Sequence, residues 1–230
     1  MALDIGCGNG FTTMALYEKS DKQGTIYGID ISQKMIDKSI ENQRREGYSD
    51  IRFMKMDAEL LDFPGEMFDA VITLFTLQFL PDKLRALGEV FRVLKPGGRL
   101  GLFVPAGKMQ AESLEVFRRV SGRHPELTRL SSVLEEYEQM HITLEELHGM
   151  LNVVGFTGLD MVGRHRIIFE EPGKYLETNP YPVDLLLAVP SESRDQIRGE
   201  VVEEMVSLSD LRGFKLTYYN ILGSAQKPSN

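Results

Sequence analysis

The chain has 230 residues, 42% of them hydrophobic, with 26 basic against 34 acidic side chains and a formal net charge of −8. A chain of this size buries roughly 70% of the surface its unfolded form exposes, and with Cys7 as its one cysteine it needs no disulfide framework, which fits a reducing cytoplasm. The acidic balance argues against nucleic acid as a partner, since phosphate binding requires clustered Lys and Arg; no apolar run approaches the ~20 residues of a membrane span, and the opening residues do not read as a signal peptide.

Short apolar runs rich in β-formers alternate with helical patterns over the first hundred residues. Ala2–Ile5 reads as a strand, residues 6–10 as a glycine-rich turn, and Phe11–Lys19 as a helix. A strand over Thr25–Ile29 is followed by Ser32, which caps a helix running to about Arg45. Strands over Ile51–Met56 and Phe68–Leu74 come next. A helix over about 82–94 then places Leu84, Leu87, Phe91 and Leu94 on one face, stops at Lys95-Pro-Gly-Gly98, and leads into a strand over Arg99–Val104. This alternation predicts βαβ units with right-handed crossovers and a doubly wound, mostly parallel α/β sheet.

After Pro105 the rhythm changes. Helices are expected over about 109–121 and 126–140. Thr143-Leu-Glu-Glu146 is a capping box opening a helix that ends at Gly155. Strands near 161–169 and 215–223 close the sheet, making seven in all. Between them, Pro172, Pro180, Pro182 and Pro190 read as a broken loop, followed by a helix at about 192–208. The expected organisation is therefore a core over 1–105, a helical cap over 106–142, and the rest of the sheet over 143–230 with a second insertion at about 171–210.

The opening "LDIGCGNGF" carries the chemistry. A strand running into Gly6, Gly8 and Gly10 and then a helix lets backbone approach a ligand with no Cβ in the way, and aims helix N–H groups at an anion. The spacing is G-x-G-x-G, and the third glycine of a dinucleotide fingerprint is replaced by Phe11. Asp4 precedes the first glycine by two. "YGIDIS" then puts Asp30 at the end of the second strand, and "KMDAELLDFP" puts Asp57 and Ala58 after the third. Together with "FDAVITLFTLQFLPD" and "EVFRVLKPGGRLGLF", these motifs resemble, in order and spacing, class I S-adenosylmethionine (SAM) dependent methyltransferases of the type-11 group over residues 2 to about 104. The closing "FKLTYYNILGSAQK" resembles the family's terminal strand.

That resemblance implies a Rossmann-like methyltransferase fold that binds SAM and transfers its methyl group to a small-molecule acceptor by in-line displacement, a reaction that rests largely on positioning. It implies cofactor contacts from Asp4, Gly6, Cys7, Gly8, Gly10, Asp30, Ile31, Asp57, Ala58 and Thr73. Asp30 would accept the ribose hydroxyls, Asp57 would contact adenine, and residues 73–79 would face the methyl group, with Thr73, Phe75, Thr76 and Gln78 as candidates. No catalytic base is evident. His141, before a helix near the expected pocket, and Gln78 are the weak candidates. One cysteine and four scattered histidines give no metal-ligand spacing.

Two other readings stay open. Leu77-Gln78-Phe79 and Leu216-Thr217-Tyr218 also resemble carboxyl methyltransferases of carrier-linked malonyl type, and a SAM-binding regulatory or inactive domain would carry the same glycine turn. In the family, several helical turns usually precede that turn, so a lost or shortened start is expected. The apolar patch this would expose is one that a second copy of the chain, in a homodimer, could cover.

Overall fold

The computed structural model describes residues 1–106, 111–140 and 142–229, the side chains of 138, 139 and 180 excepted. Its sheet has seven strands: β1 (Ala2–Ile5), β2 (Ile26–Asp30), β3 (Ile51–Lys55), β4 (Phe68–Leu74), β5 (Leu94–Pro105), β6 (Thr157–Glu170) and β7 (Phe214–Gln226), in the order β3-β2-β1-β4-β5-β7-β6. The pairs β1–β2, β2–β3, β1–β4 and β4–β5 are parallel, with Asp4 opposite Gly28 on one side and Ile72 on the other. Against β5, strand β7 runs in the opposite direction. Gly97 N–H donates to Lys227 O at 3.0 Å, Lys227 N–H to Gly98 O at 2.9 Å, and Ala106 N–H to Tyr219 O at 2.8 Å, so partner numbers fall as β5 advances. From β1 the chain winds outward through β2 and β3, then returns to β4. This reversal leaves a crevice at the carboxyl ends of β1, β2 and β4, the usual ligand position in such sheets.

The helices are α1 (Phe11–Lys19), α2 (Gln33–Glu46), α3 (Lys83–Val93), α4 (Ala111–Arg123), α5 (Thr128–Gln139), α6 (Leu144–Val154), α7 (Pro172–Thr178), α8 (Pro180–Leu187) and α9 (Arg194–Ser207), with a 3-10 turn over Leu77–Phe79. Local chemistry sets their ends. Asp82 Oδ1 accepts the Arg85 N–H at 3.0 Å to open α3, the Thr143–Glu146 capping box opens α6, and Gly155 closes α6 at φ +106°.

Two expectations are corrected. The proline-rich stretch after Glu170 is not a broken loop but two helices. Pro172 stands in the first turn of α7, where its missing N–H has no helical partner to lose. Glu171 caps the N–H groups of Gly173 and Lys174 at 2.8 and 2.6 Å, and Asn179 caps α8 through the Tyr181 N–H at 3.1 Å. Lys95-Pro-Gly-Gly98 follows the end of α3, as expected, but already lies within β5. The register jumps from Phe68↔Leu94 to Ala70↔Arg99, and Gly97, at φ +77°, absorbs the bulge.

The chain divides into two compact units. One contains Met1–Pro105, Ile142–Gly163 and Ile221–Asn230; the other contains Ala106–His141 and Arg164–Asn220. In the first, Met14, Tyr17, Ile26 and Ile51 pack together, and Tyr27, Phe63 and Phe68 stack edge to face at 5.1–5.6 Å. The second has its own core, in which Phe117, Val120, Leu130, Val201 and Leu216 are fully buried.

Candidate functional site

The glycine turn is built by backbone hydrogen bonds that leave its outer side bare. Gly6 and Cys7 both donate to Ile29 O, at 2.8 and 2.9 Å, and Gly10 donates to Cys7 O at 2.9 Å. Asn42, on α2, holds Asn9 O at 2.9 Å. All three glycines have positive φ, 72°, 53° and 85°, but their surroundings differ. A Cβ on Gly6 would lie 2.0 Å from Thr76 Oγ1, and one on Gly10 would lie 2.7 Å from the Phe53 ring, whereas one on Gly8 would meet nothing within 4 Å among the described residues. Gly6 and Gly10 are glycines because protein packs against them. Gly8 presents open backbone.

Asp30, at the end of β2, closes the turn from the side. Its Oδ2 accepts the Gly8 N–H at 3.0 Å and its Oδ1 accepts the Ser32 N–H at 2.9 Å. Each carboxylate oxygen keeps a lone pair for a further donor. Beneath the turn, Asp4 is 1% exposed and its Oδ2 accepts the Thr13 hydroxyl at 2.6 Å. Burial lifts the Asp4 carboxyl to about 6, eased by the Thr13 hydrogen bond and reinforced by the charge of Asp30. Burial likewise pushes the Cys7 thiol up, with the Asp4 and Asp30 charges adding to it, so Cys7 is an inert packing group.

A cavity of about 400 Å³ opens at the carboxyl ends of β1, β2 and β4, lined in part by Gly6, Asp30, Ile31, Asp57 and Ala58. Asp57 is exposed, with its Oδ1 accepting the Glu59 N–H at 2.9 Å. Phe75, Thr76, Phe79, Leu80 and Pro81 form the opposite wall. Asp30, Asp57 and Glu59 line it, and no Lys, Arg or His is among its described lining residues.

The remaining sequence candidates are placed elsewhere. Asp4 is below the turn. Cys7, Gly8, Gly10 and Thr73 do not line the cavity, although Gly8 is tied to it through Asp30. Thr73 is 3% exposed, and among the described residues its hydroxyl has no partner. Gln78 is 4% exposed and its amide points at Phe75 O. His141 lies outside the described residues. The sequence reading missed Ile5, Ile29, Met56, Glu59, Leu80 and Pro81. The dipeptide Leu80-Pro81 carried the only available signal, since a residue before proline leaves helical space.

Residues 3–102 match the family described as methyltransferase domain. The aklanonic acid methyltransferase DauC of Streptomyces sp. (strain C5) is 39% identical over 103 residues, 45% of this chain and 47% of its own length. The ubiquinone/menaquinone biosynthesis C-methyltransferase UbiE of Marinomonas sp. (strain MWYL1) is 33% identical over 164 residues, 67% of this chain and 65% of its own length. The chain thus spans less than two thirds of either relative. The solved YcgJ protein of Bacillus subtilis superimposes with a TM-score of 0.64 at 22% identity, over 100% of this chain and 92% of that one. The strand order, the antiparallel β7 and the glycine turn define the fold of class I methyltransferases. Residues 3–102 are a methyltransferase domain of this SAM-dependent class. Among the described residues, no helix is long and apolar enough to cross a membrane.

The residues present fit SAM. The bare backbone at Gly8 and the spare lone pairs of Asp30 suit a ribose and an aminoacyl chain. A wall rich in carboxylates and aromatic rings suits a cationic sulfonium.

Proposed function

We propose that the chain transfers the methyl group of SAM to a small, apolar, ring-shaped acceptor. The observation that supports this most directly is the cavity itself, which gathers Gly6, Asp30, Ile31, Asp57 and Ala58 from the ends of β1, β2 and β3. Bound SAM supplies a methyl carbon on a sulfonium leaving group. Asp30 receives the ribose hydroxyls while holding the Gly8 N–H. Asp57 offers its free oxygen to the adenine amine, and Ile31 and Ala58 give the base its apolar walls. Asp4 orders the turn through Thr13.

The acceptor class follows from two features. Phe75 and Phe79, on the wall away from the adenine contacts, are each 53% exposed, an apolar rim suited to a flat ring. The described lining holds carboxylates but no histidine or lysine, which favours an acceptor whose nucleophile ionises on its own near neutrality, as a hydroxyquinone or an acidic enol does. The relatives named for aklanonic acid and for ubiquinone and menaquinone biosynthesis point the same way.

Calorimetric titration with SAM and its demethylated product, S-adenosylhomocysteine (SAH), tests the cofactor. A radiolabelled-methyl assay over hydroxyquinones, phenolic polyketides, amines and malonyl thioesters tests the acceptor. Transfer to the first two groups supports the proposal. Transfer to a malonyl thioester alone, or binding with no transfer at all, overturns it in favour of a carboxyl methyltransferase or a SAM-binding domain.

A further inference from the structure

Phe75 is a non-glycine residue held at φ +56°, in the left-handed region that is strained for an L side chain. Such a conformation persists only where its surroundings over-determine it, and such residues cluster at functional sites. Three contacts do so here. The Phe75 N–H donates to Phe103 O at 2.8 Å. The Phe75 ring rests on the Phe103 ring at a centroid distance of 4.6 Å. From inside the turn, the Gln78 side-chain Nε2 donates to Phe75 O at 2.8 Å. Beside them, Thr76 Oγ1 bridges Ile5 O and Leu74 O at 3.2 and 3.1 Å, in the space left by the missing Cβ of Gly6.

The exposures of the two residues are inverted. Gln78, a polar residue on the 3-10 turn, is only 4% exposed, whereas Phe75 is 53% exposed and lines the cavity. Among the described residues the Oε1 of this buried amide has no partner, which costs free energy, and the one hydrogen bond its side chain makes there is with the strained residue. We propose that Gln78 is a positioning residue, a clamp that holds Phe75 left-handed so that its ring stands as a wall of the ligand cavity. It acts through Phe75 and touches no ligand. The inference rests on reading this cavity as the SAM site.

Two measurements separate the clamp from a merely structural glutamine. The first is a double-mutant cycle in SAH affinity. Gln78→Met keeps the length and removes the amide. It should weaken SAH about tenfold with Phe75 in place, and less than twofold in the Phe75→Gly background, where glycine needs no clamp and has no ring to place. Equal losses in both backgrounds, or unchanged affinity in a Gln78→Met protein that folds, overturn the proposal. The second needs no ligand. The chain has no tryptophan, so Phe75→Trp is a single fluorescent reporter of the ring. Adding Gln78→Met, or Gln78→Ala should the first not fold, should shift its emission to the red and raise acrylamide quenching in protein that still melts cooperatively. Unchanged emission overturns the clamp. If the wild-type chain binds neither SAM nor SAH, the reading of the site has failed, and the fluorescence still decides the role of Gln78.

Discussion

Asp30 and Gly8, twenty-two residues apart, are joined by the Gly8 N–H donating to Asp30 Oδ2 at 3.0 Å. One carboxylate thus orders the glycine turn and borders the cavity that the turn helps form. Asp30→Ala leaves the Gly8 N–H without its acceptor and removes the ribose acceptors. SAH binding should weaken by about 1–3 kcal/mol, the scale of a lost charge-assisted hydrogen bond. Asp30→Asn keeps one acceptor oxygen and should fall between the two. Calorimetry reads both, and unchanged affinity in Asp30→Ala refutes the ribose role.

Gly6 and Gly8 share a positive φ but should fail differently when changed to alanine. Gly6→Ala drives a methyl group into Thr76 in addition to straining the backbone. It should cost about 2–5 kcal/mol of stability, the sum of an αL penalty and overpacking. Gly8→Ala faces open space and should cost only the backbone strain, about 1–2 kcal/mol, while weakening SAH binding where its methyl intrudes. Urea unfolding of the two variants, with Gly6→Ala/Thr76→Gly as the relief variant, checks the order. Equal stability losses at the two positions would remove Thr76 from the explanation.

Local signals explain why some elements could be read from the chain and others could not. β1 and α1 are bounded by an apolar run and a glycine turn, and the capping box at Thr143 is four residues long, so their limits are written in adjacent residues. Helices α7 and α8 were hidden because a proline reads as a breaker wherever it stands. Only Glu171 and Asn179, acting as caps, turn Pro172 and Pro180 into helix starts. At the site, Gly6, Asp30, Ile31, Asp57 and Ala58 do share one cavity. Met56, Leu80 and Pro81 are ordinary residues whose place on its wall is decided by the 3-10 turn over Leu77–Phe79 and by neighbouring strands. No spacing rule marks them. Phe75 is similar: nothing in "TLFTLQF" announces a left-handed phenylalanine, because the carbonyl and ring of Phe103 that meet it come from β5.

The second unit carries a pH-sensitive tie. His124, just after α4, places Nε2 2.9 Å from Glu200 Oε2 on α9, and Nδ1 3.1 Å from Glu126 Oε1. Arg119 and Arg123 meet Glu204 on the same helix. The Glu200 hydrogen bond raises the His124 pKa, opposed by partial desolvation and aided by Glu126. A histidine with a raised folded pKa contributes stability that is whole below its unfolded value of about 6.5 and is lost as pH rises through the folded value. The difference in melting temperature between wild type and His124→Gln should therefore be largest below pH 6.5 and shrink above it. A difference that does not vary with pH would show that the imidazolium adds nothing to this tie.

Asp4 acts in the same direction at the cofactor end. Burial lifts its carboxyl to about 6 from an ordinary 3.8. Between those values the folded chain binds more protons than the unfolded one, so stability falls as pH rises. The contribution of the protonated acid is whole below 3.8 and gone above about 6, a loss of at most about 3 kcal/mol at 1.36 kcal/mol per unit. Asp4→Asn still offers an oxygen to the Thr13 hydroxyl and never ionises. It should be more stable than wild type by about 1–3 kcal/mol at pH 8, with the gap closing towards pH 4. Its SAM affinity should not rise with its stability, because an ionised carboxylate beneath the glycine turn favours the cationic sulfonium. Urea unfolding at pH 4, 6 and 8 measures the gap. A stability difference of the same size at all three would mean that folding does not raise the Asp4 pKa, and that the turn tolerates its buried charge at no cost.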